Sequence, residues 1–443
     1  MKISIKKFLV LSILLITLLL NNFNIVYAET TSEPEITSRS AILIDNKTGQ
    51  VLYNKDADEK MFPASTTKIL TAIIVLENCS LDETVTASYN AISNIPEGYV
   101  TAEIQGEEQF TVEQLLEMLL VLSANDSANV LAEYVGGSID SFVSMMNTKA
   151  NEFGLTNSHF TNPYGLQDEN HYSTAHDLAI IMQHCLENED FRRIAGSVSC
   201  SIPATNKSGV RSYTSTNHLI LPDNPDYYSY VTVGKTGFTT EAGHCLVSCA
   251  YKNDLELICV ILGGSVVNGV STRFSESKAL YEYGFNNFSL KNIANPGDVI
   301  TEIEVSNGSP DTKSLDLAFT DNIYALVNNS DLNTNYIPNI QLNPNISAPI
   351  TQGDVLGKVV YTIDGIQYES DIIATHNVET SQLLQFVLNI GGIIIVLLII
   401  FEIFFSTKKK RRNRKGSYCF LFKKIRTYNN NLYAPIFYFT NIL

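Results

Sequence analysis

The hydrophobic positions between residues 33 and 288 follow two different periods. Residues 41–44 and 51–53 are short apolar stretches on either side of a Gly-containing turn, which predicts a β-hairpin. A helical period is predicted over residues 65–76, 115–122, 127–135, 139–153, 175–187 and 271–283. Strand-like runs occupy residues 230–233, 245–251 and 255–262. This order predicts an α+β domain over residues 33–288, with helices packed on a mainly antiparallel sheet.

The pattern changes after residue 288. Helical periodicity is lost, and short alternating segments appear between Gly, Pro, Asn and Asp residues. These segments cover residues 299–305, 315–319, 359–363 and 368–373. Short alternating strands separated by turn residues are typical of a small all-β domain, which we predict at residues 289–376.

Each end of the chain carries an apolar run of a different kind. Residues 8–20 follow three lysines and precede Val26-Tyr27-Ala28, so residues 1–28 are predicted to be a secretory signal peptide. This run is shorter than the about 20 residues that a bilayer span needs, which argues against an uncleaved anchor. Residues 383–405 reach that length, and a basic tail follows at 406–443. This arrangement predicts a transmembrane helix with a cytoplasmic tail.

The net charge of −16 conceals a more acidic central region. Thirteen of the 30 Lys and Arg residues lie in the two ends, so residues 29–405 hold 17 basic residues against all 46 acidic ones, a net charge of −29. Such a region is a poor nucleic-acid partner, because each phosphate contact requires a cation. We therefore expect an extracytoplasmic domain that is tethered to the cytoplasmic membrane and does not bind nucleic acid.

The cysteines give no sign of a metal site. The seven Cys residues include no C-x-x-C pair, and we assign no disulfide. Cys245, Cys249 and Cys259 lie in apolar strand-like runs and are expected to be buried thiols.

One serine combines a basic neighbour with a strongly apolar helix. Ser65 and Lys68 are three positions apart on a predicted helix, so their side chains share one face. A serine hydroxyl needs a base to take its proton, and a lysine can be that base when burial lowers its pKa. The same S-x-x-K spacing occurs at Ser4, Ser275 and Ser406, but only Ser65 opens a helix that must be buried on most sides.

Two further patterns place polar side chains where a cleft could form. Ser123 and Asn125 lie in a predicted turn between two helices, where both can face a ligand; a helix cap is the alternative role for Ser123. Lys235-Thr236-Gly237 follows a predicted strand, and its glycine would leave room for a ligand beside that strand. A second K-T-G, at residues 47–49, is better explained as the hairpin turn.

In this order, the three patterns resemble the signature of penicillin-binding proteins and serine β-lactamases. Residues 63–68, 162–166, 171–175 and 234–239 resemble the low-molecular-weight D-alanyl-D-alanine carboxypeptidases in particular, and the β-domain is similar to that family's carboxyl-terminal domain. The resemblance covers roughly residues 33–375. It implies a β-lactamase/transpeptidase-like fold for the α+β domain.

The resemblance also implies an activity and a set of roles. The enzyme would remove the terminal D-Ala from peptidoglycan stem peptides through an acyl-enzyme, would bind β-lactams covalently, and would need no cofactor or metal. Ser65 would be the nucleophile, Lys68 its base, and Ser123 a proton relay to the leaving amine. The substrate-binding residues would be Asn125, Lys235, Thr236, Gly237, Phe238 and Arg273. The backbone N–H groups of Ser65 and Phe238 would form the oxyanion hole.

Two alternative functions remain. A class A β-lactamase shares the three patterns but deacylates with a Glu in an E-x-x-L-N loop. Here Glu152-Phe153-Gly154-Leu155 is followed by a Thr in place of the Asn. The segment also fits a helix end capped at Gly154. A non-catalytic cell-wall-binding protein is the second alternative. His171, His176 and His244 could suggest a charge relay, but Lys68 would already fill the base role, and we expect His171 and His176 to be structural.

Overall fold

A computed structural model describes residues 32–412, apart from Asn94 and Glu97. Side chains are described as far as Ile403. The predicted signal peptide at residues 1–28 and the part of the basic tail after residue 412 lie outside the described residues.

A five-stranded antiparallel sheet forms the centre of the α+β region. The strands of this region are β1 (Ser40–Asp45), β2 (Val51–Lys55), β3 (Thr84–Thr86), β4 (Gln109–Thr111), β5 (Ser199–Ile202), β6 (Arg211–Thr214), β7 (Val231–Thr239), β8 (Gly243–Lys252), β9 (Leu255–Gly264), β10 (Val266–Val267) and β11 (Val270–Ser271). The central sheet has the order β2-β1-β9-β8-β7, and every neighbouring pair in it is antiparallel. The pairs β3–β4, β5–β6 and β10–β11 form small separate hairpins or ribbons.

Eight helices accompany this sheet in the described residues. They are α1 (Lys68–Asn78), α2 (Tyr89–Ser93), α3 (Val112–Glu117), α4 (Asn125–Gly136), α5 (Ile139–Glu152), α6 (Ala175–Cys185), α7 (Glu189–Ala195) and α8 (Thr272–Asn287). Side-chain caps begin several of them: Thr111 and Gln114 form a capping box at α3, and the Thr174 hydroxyl accepts from the Asp177 N–H at α6. The sequence did not predict α2 and α7, because elements this short contain too few residues to display a helical period.

The sheet is buried on both faces because side chains alternate along its strands. On β1, Ile42 and Ile44 enter one core, which includes Ile69 and other residues of α1. Ala41 and Leu43 enter a second core, which residues of α8 line on the other side. The prediction of helices packed on a mainly antiparallel sheet is thus confirmed, with helices on both faces.

Two local departures from the predicted helices affect the site. The segment 65–76 is not one helix: Ala64–Thr67 is a 3-10 turn, and α1 begins at Lys68. The helix at 115–122 ends in a π-helical turn, Met118–Leu122, after which Ser123 has a left-handed conformation with φ 73°. Asn125 is the first residue of α4 and does not lie in the turn.

The carboxyl-terminal part of the chain is built from strands, as predicted. They are β12 (Phe288–Ala294), β13 (Val299–Glu304), β14 (Ser314–Phe319), β15 (Ile323–Asn328), β16 (Asn339–Leu342), β17 (Val355–Ile363) and β18 (Ile366–Ala374). Five of them form a sheet with the order β13-β14-β18-β17-β16, and β12 pairs with β15. Short 3-10 turns, His218–Ile220 and Asn329–Asp331, complete the secondary structure before the last helix.

Contacts between residues divide the chain into two compact units. The first unit contains the chain up to Ala294 together with Asn322–Asn339 and Val360–Glu369. The second unit contains Asn295–Asp321, Ile340–Val359 and the chain from Ser370 onward. The six Cys residues among the described residues are free thiols, and Cys245, Cys249 and Cys259 are buried as expected.

The last helix, α9 (Gln382–Arg412), contains the second apolar run. Its segment Gln382–Ile403 is long and apolar enough to cross a membrane, and none of it is buried against the protein. Leu383, Phe386 and Ile393 are typical of its side chains, each more than half exposed. An exposed apolar helix of this length suggests membrane anchoring.

Candidate active site

The Ser65 turn has an unusual backbone. Pro63 precedes it, and Ala64 has a positive φ of 48°, a conformation that is uncommon for residues other than glycine. The turn is 3-10, so it is tighter than an α-helix, and α1 continues directly from it at Lys68. Strained backbone of this kind is often found at functional sites.

The Lys68 amine makes three polar contacts. Its Nζ lies 2.7 Å from Ser65 Oγ and 2.7 Å from Asn125 Oδ1. The third contact is the backbone carbonyl of Tyr164, at 3.0 Å. Lys68 has no solvent exposure. The structure therefore brings together Ser65, Lys68 and Asn125, as predicted from the sequence, and adds a carbonyl that the sequence did not predict.

Burial also changes the proton affinity of this amine. Desolvation, together with the positive charge of Lys235, lowers the pKa of Lys68 well below its usual value, while the Asp126 carboxylate opposes the shift. A lysine in this environment loses its proton more readily than an exposed one, and once neutral it can accept a proton.

Ser123 and Lys235 form a second polar pair. Lys235 Nζ donates to Ser123 Oγ at 2.9 Å and to the Thr236 carbonyl at 2.9 Å. Only 1% of Lys235 is exposed. Burial, with a contribution from the charge of Arg273, lowers the pKa of Lys235 to about 7. The hydroxyl of Thr236 is in turn 2.6 Å from the hydroxyl of Thr216, which follows β6.

Gly237 brings strand β7 against the serine turn. A Cβ at Gly237 would lie 3.0 Å from both the Pro63 carbonyl oxygen and the Ser65 nitrogen. The sequence suggested that this glycine leaves room for a ligand; in the structure the space next to it is bordered by the backbone of the serine turn. Gly237 therefore permits the close approach that places β7 beside Ser65.

Phe238 and Arg273 lie at the same end of β7. The Phe238 side chain is 57% exposed, and its ring centroid is 4.6 Å from that of His244. Arg273 Nη1 donates to the Gly237 carbonyl at 2.9 Å. Burial lowers the pKa of the Arg273 guanidinium to about 10. All nine predicted site residues thus belong to this site or to elements that contact it.

Comparison with known families identifies the family of this chain. The family profile described as D-alanyl-D-alanine carboxypeptidase matches residues 27–266, more than half of the chain. The chain belongs to the D-alanyl-D-alanine carboxypeptidase family. A second profile, described as the carboxyl-terminal domain of penicillin-binding protein 5, matches residues 288–380. The protein is therefore a serine peptidase of the hydrolase class, and the resemblance stated from the sequence is confirmed.

Individual relatives extend over most of the chain. The chain is 30% identical over 385 residues to D-alanyl-D-alanine carboxypeptidase DacF of Bacillus subtilis, covering 86% of this chain and 95% of that protein. The structure of penicillin-binding protein 5 from Haemophilus influenzae is 29% identical, with a TM-score of 0.63, and the match covers 79% of this chain and 99% of that one. The structure of PBP3 from Streptococcus pneumoniae is 26% identical, with a TM-score of 0.62, over 78% of this chain and 100% of that one.

Asp126 is a buried residue beside the candidate site that the sequence did not indicate. Its carboxylate accepts hydrogen bonds from the backbone N–H groups of Ala102, at 2.9 and 3.0 Å, and Ile104, at 3.0 Å. Asn125 N donates to the Val100 carbonyl at 2.9 Å, so the segment around residues 100–104 is held next to the Ser123 turn. The only sequence signal was the position of Asp126 directly after Asn125.

Residues 162–166, which resemble the family, lie in a loop at residues 161–166 whose role the sequence did not predict. The Asn162 side chain organises it by accepting from three successive N–H groups, those of Tyr164, Gly165 and Leu166. Gly165 has φ 86°, and a Cβ there would lie 1.8 Å from the Ala64 carbonyl oxygen. The loop therefore packs directly against the serine turn.

Other groups considered from the sequence lie in ordinary surroundings. Glu152 ends α5, its carboxylate forms an ion pair with Lys149 at 3.0 Å, and Gly154 follows with φ 73°, as expected for a capped helix end. His176 Nδ1 pairs with Asp58 at 3.0 Å on the surface. Among the described residues, no cluster of three or more His, Cys, Asp or Glu side chains could hold a metal ion.

Proposed function

We propose that this protein removes the terminal D-Ala from peptidoglycan stem peptides by acyl-enzyme catalysis at Ser65. The observation that carries the proposal is the buried Lys68 amine, 2.7 Å from Ser65 Oγ and held by two further oxygen acceptors. β-Lactams would acylate the same serine covalently. A class A β-lactamase would share this pair, but Glu152, the candidate for its deacylating base, ends α5 and pairs with Lys149. A purely wall-binding role would not need the buried amine.

The three contacts of Lys68 suit a neutral amine that acts as a base. A neutral amine has two N–H groups and one lone pair. Asn125 Oδ1 and the Tyr164 carbonyl can only accept, so they take the two N–H groups. The lone pair is then directed at Ser65 Oγ, whose hydroxyl proton it can accept.

In the acylation step, Ser65 Oγ forms a bond to the carbonyl carbon between the two terminal D-alanines. The proton of the hydroxyl passes to Lys68 Nζ, and charge develops on the carbonyl oxygen. The N–H groups of Ser65 and Phe238 would donate to this oxyanion; the close approach of β7 to the serine turn at Gly237 supports their pairing. One such donor typically contributes a factor of about 10² to 10³ to the rate.

The leaving D-Ala needs a proton when the C–N bond breaks. Ser123 Oγ accepts from Lys235 at 2.9 Å, so the hydroxyl can pass its own proton to the amine and take one from Lys235. A pKa of about 7 for Lys235 suits this transfer near neutral pH. Water then attacks the ester carbonyl, and its proton passes through Ser123 back to Lys235. As the ester C–O bond breaks, Lys68 returns its proton to Ser65 Oγ, which restores the starting state.

The terminal carboxylate of the substrate would bind where the positive charge is concentrated. Lys235 lies on β7, and Arg273, near the start of α8, donates to the Gly237 carbonyl of that strand. The Thr236 hydroxyl could donate to the carboxylate in place of its 2.6 Å contact with Thr216. Asn125 would hold a substrate amide while it also contacts Lys68. In a region with a strong negative charge, this cluster would attract an anionic peptide end.

The apolar runs at the two ends of the chain bear on where the protein is located. We propose that residues 33–288 and 289–376 are the catalytic domain and the β-domain, exported by the signal peptide and tethered outside the cell by the helix at 383–405. The exposed apolar surface of α9 supports the tether. Protease treatment of intact cells should release the domains; an ectodomain left untouched would contradict this topology.

Labelling with a fluorescent penicillin tests the catalytic proposal. The wild-type protein should become covalently labelled, and Ser65→Ala should not, because the attacking oxygen is lost. Ser275→Ala, at an exposed S-x-x-K on α8, is the matched control and should label normally. Labelling that survives Ser65→Ala would exclude Ser65 as the nucleophile. Mass spectrometry of pentapeptide muropeptides should show the loss of one alanine.

A further inference from the structure

His171 is a buried ring that joins two segments of the site. Only 1% of the residue is exposed. Its Nε2 lies 2.9 Å from Thr67 Oγ1, and its Nδ1 accepts from the Thr161 backbone N–H at 3.1 Å. Because Nδ1 accepts, the neutral ring carries its proton on Nε2 and donates it to Thr67. The ring therefore links the serine turn to the 161–166 loop.

Both linked segments act on the Lys68 amine. Thr67 immediately precedes Lys68 in the chain. The 161–166 loop supplies the Tyr164 carbonyl that accepts from Lys68, and its Pro163 carbonyl accepts from Thr71 Oγ1 at 2.5 Å one turn further along α1. The Tyr164 ring also lies over the amine, with its centroid 6.0 Å from Nζ. The loop thus both directs the amine and covers it.

We propose that His171 is a positioning residue that fixes the 161–166 loop on α1 and so sets the direction and the burial of the Lys68 amine. This inference rests on the proposed base role of Lys68. It revises the expectation that His171 serves only the fold. The ring does not touch the reacting atoms, so its effect passes through Thr67 and the loop.

The surroundings of the ring keep it in the required neutral form. Burial is the main cause that lowers the pKa of His171 to about 4; the nearby His159 and Lys68 add to the shift, and Asp168 opposes it. Protonated Nδ1 would be a donor facing the Thr161 N–H, which also donates. The ring therefore keeps both contacts at pH values above about 4.

The test is the pH dependence of acylation by a fluorescent penicillin in the full chain. We expect His171→Ala to slow acylation at pH 7 at least about 10-fold, because the amine is misplaced. The acid limb of the pH–rate profile, where acylation falls as Lys68 becomes protonated, should also move about one pH unit upward. Water reaching Lys68 in the variant reverses the desolvation that lowers its pKa. His171→Gln offers one donor and one acceptor, so it should restore the rate to within about 3-fold.

Two further variants separate positioning from folding. Thr67→Val removes the hydroxyl that Nε2 contacts and keeps the side-chain shape, so it should move the acid limb in the same direction. His176→Ala, at an exposed histidine, should leave rate and limb unchanged.

A folded His171→Ala protein with a wild-type rate and limb would overturn the proposal. An acylation rate reduced equally at all pH values, with the acid limb of the profile unmoved, would overturn it as well, because a smaller fraction of folded protein alone gives this result. Failure of the wild-type protein to label would instead contradict the proposed function of Ser65.

Discussion

The chain contains the tripeptide K-T-G twice, in two different settings. At residues 47–49 it forms the turn between β1 and β2: Thr48 is fixed by the Asp45 carboxylate, Gly49 has φ 72°, and a Cβ at Gly49 would meet nothing within 4 Å. At residues 235–237 the same residues lie in a strand, where the lysine is buried and the glycine touches the serine turn. The tripeptide acquires chemistry only when another segment is folded against it.

The largest contrast should appear when the two lysines are replaced. Lys235→Met removes the charge beside Ser123 and should reduce penicillin acylation by about 10² to 10³-fold, the usual effect of losing one electrostatic contact in an active site. Lys47→Met, at an exposed position, should leave the rate unchanged. Stopped-flow measurement of acylation compares the two variants. Equal rates in the two variants would remove Lys235 from the mechanism.

The variants Lys235→Met and Lys47→Met should also differ in how their stability depends on pH. The pKa of Lys235 in the folded protein is about 7, far below the 10.5 of the unfolded chain. Between these two pH values the unfolded chain binds one more proton than the folded protein. The stability of the wild type therefore falls as the pH decreases from 10.5 to 7. Below pH 7, Lys235→Met should therefore be more stable than wild type by about 3 kcal/mol, after allowance for the lost hydrogen bonds.

Urea denaturation at a series of pH values measures this difference. The advantage of Lys235→Met should vanish above pH 10.5. The Lys47→Met curve should run parallel to that of wild type. A Lys235→Met advantage that did not change with pH would show that the buried charge is not its source.

Replacing the two glycines should give the smallest effects, and effects of different kinds. Gly237→Ala places a Cβ 3.0 Å from the Pro63 oxygen and the Ser65 nitrogen, so the serine turn must shift and acylation should fall about 10-fold. Gly49→Ala meets no neighbour but has a positive φ, so it should cost about 1 kcal/mol of unfolding free energy without changing acylation. Wild-type acylation by Gly237→Ala would contradict the close-approach role.

Much of the fold followed from short-range pattern. The β1–β2 hairpin, the longer helices and the strands β7, β8, β9, β13, β14, β17 and β18 were predicted near their observed positions, since periodicity records which face of an element is buried. The strands β12, β15 and β16 were not predicted. The α2 and α7 helices were not, because each is too short for that signal. The 3-10 turn at Ser65 and the π-helical turn before Ser123 also escaped prediction, since their geometry depends on what packs against them.

The site was predictable to a similar degree. Ser65 and Lys68 were recognised because a spacing of three puts them on one face. Lys235 was recognised because it follows a predicted strand and because the order of the three patterns resembles a family signature. The Tyr164 carbonyl was missed because every residue has a backbone carbonyl, and only the loop conformation makes this one an acceptor for Lys68. His171 was expected to be structural because a sequence shows a helix cap nearby but not the two segments that the ring joins.

By itself, the sequence determined where the longer helices and many of the strands form, that the central region is acidic, and that Ser65 alone combines a lysine three positions away with a strongly apolar helix. These properties depend on neighbours within a few positions, or on simple counts. The tertiary structure alone decided the proton affinity of Lys68, because that depends on desolvation and on Lys235, which lies far away in the chain. It also decided which of two identical tripeptides meets Ser65, since the contact requires β7 and the serine turn to pack together.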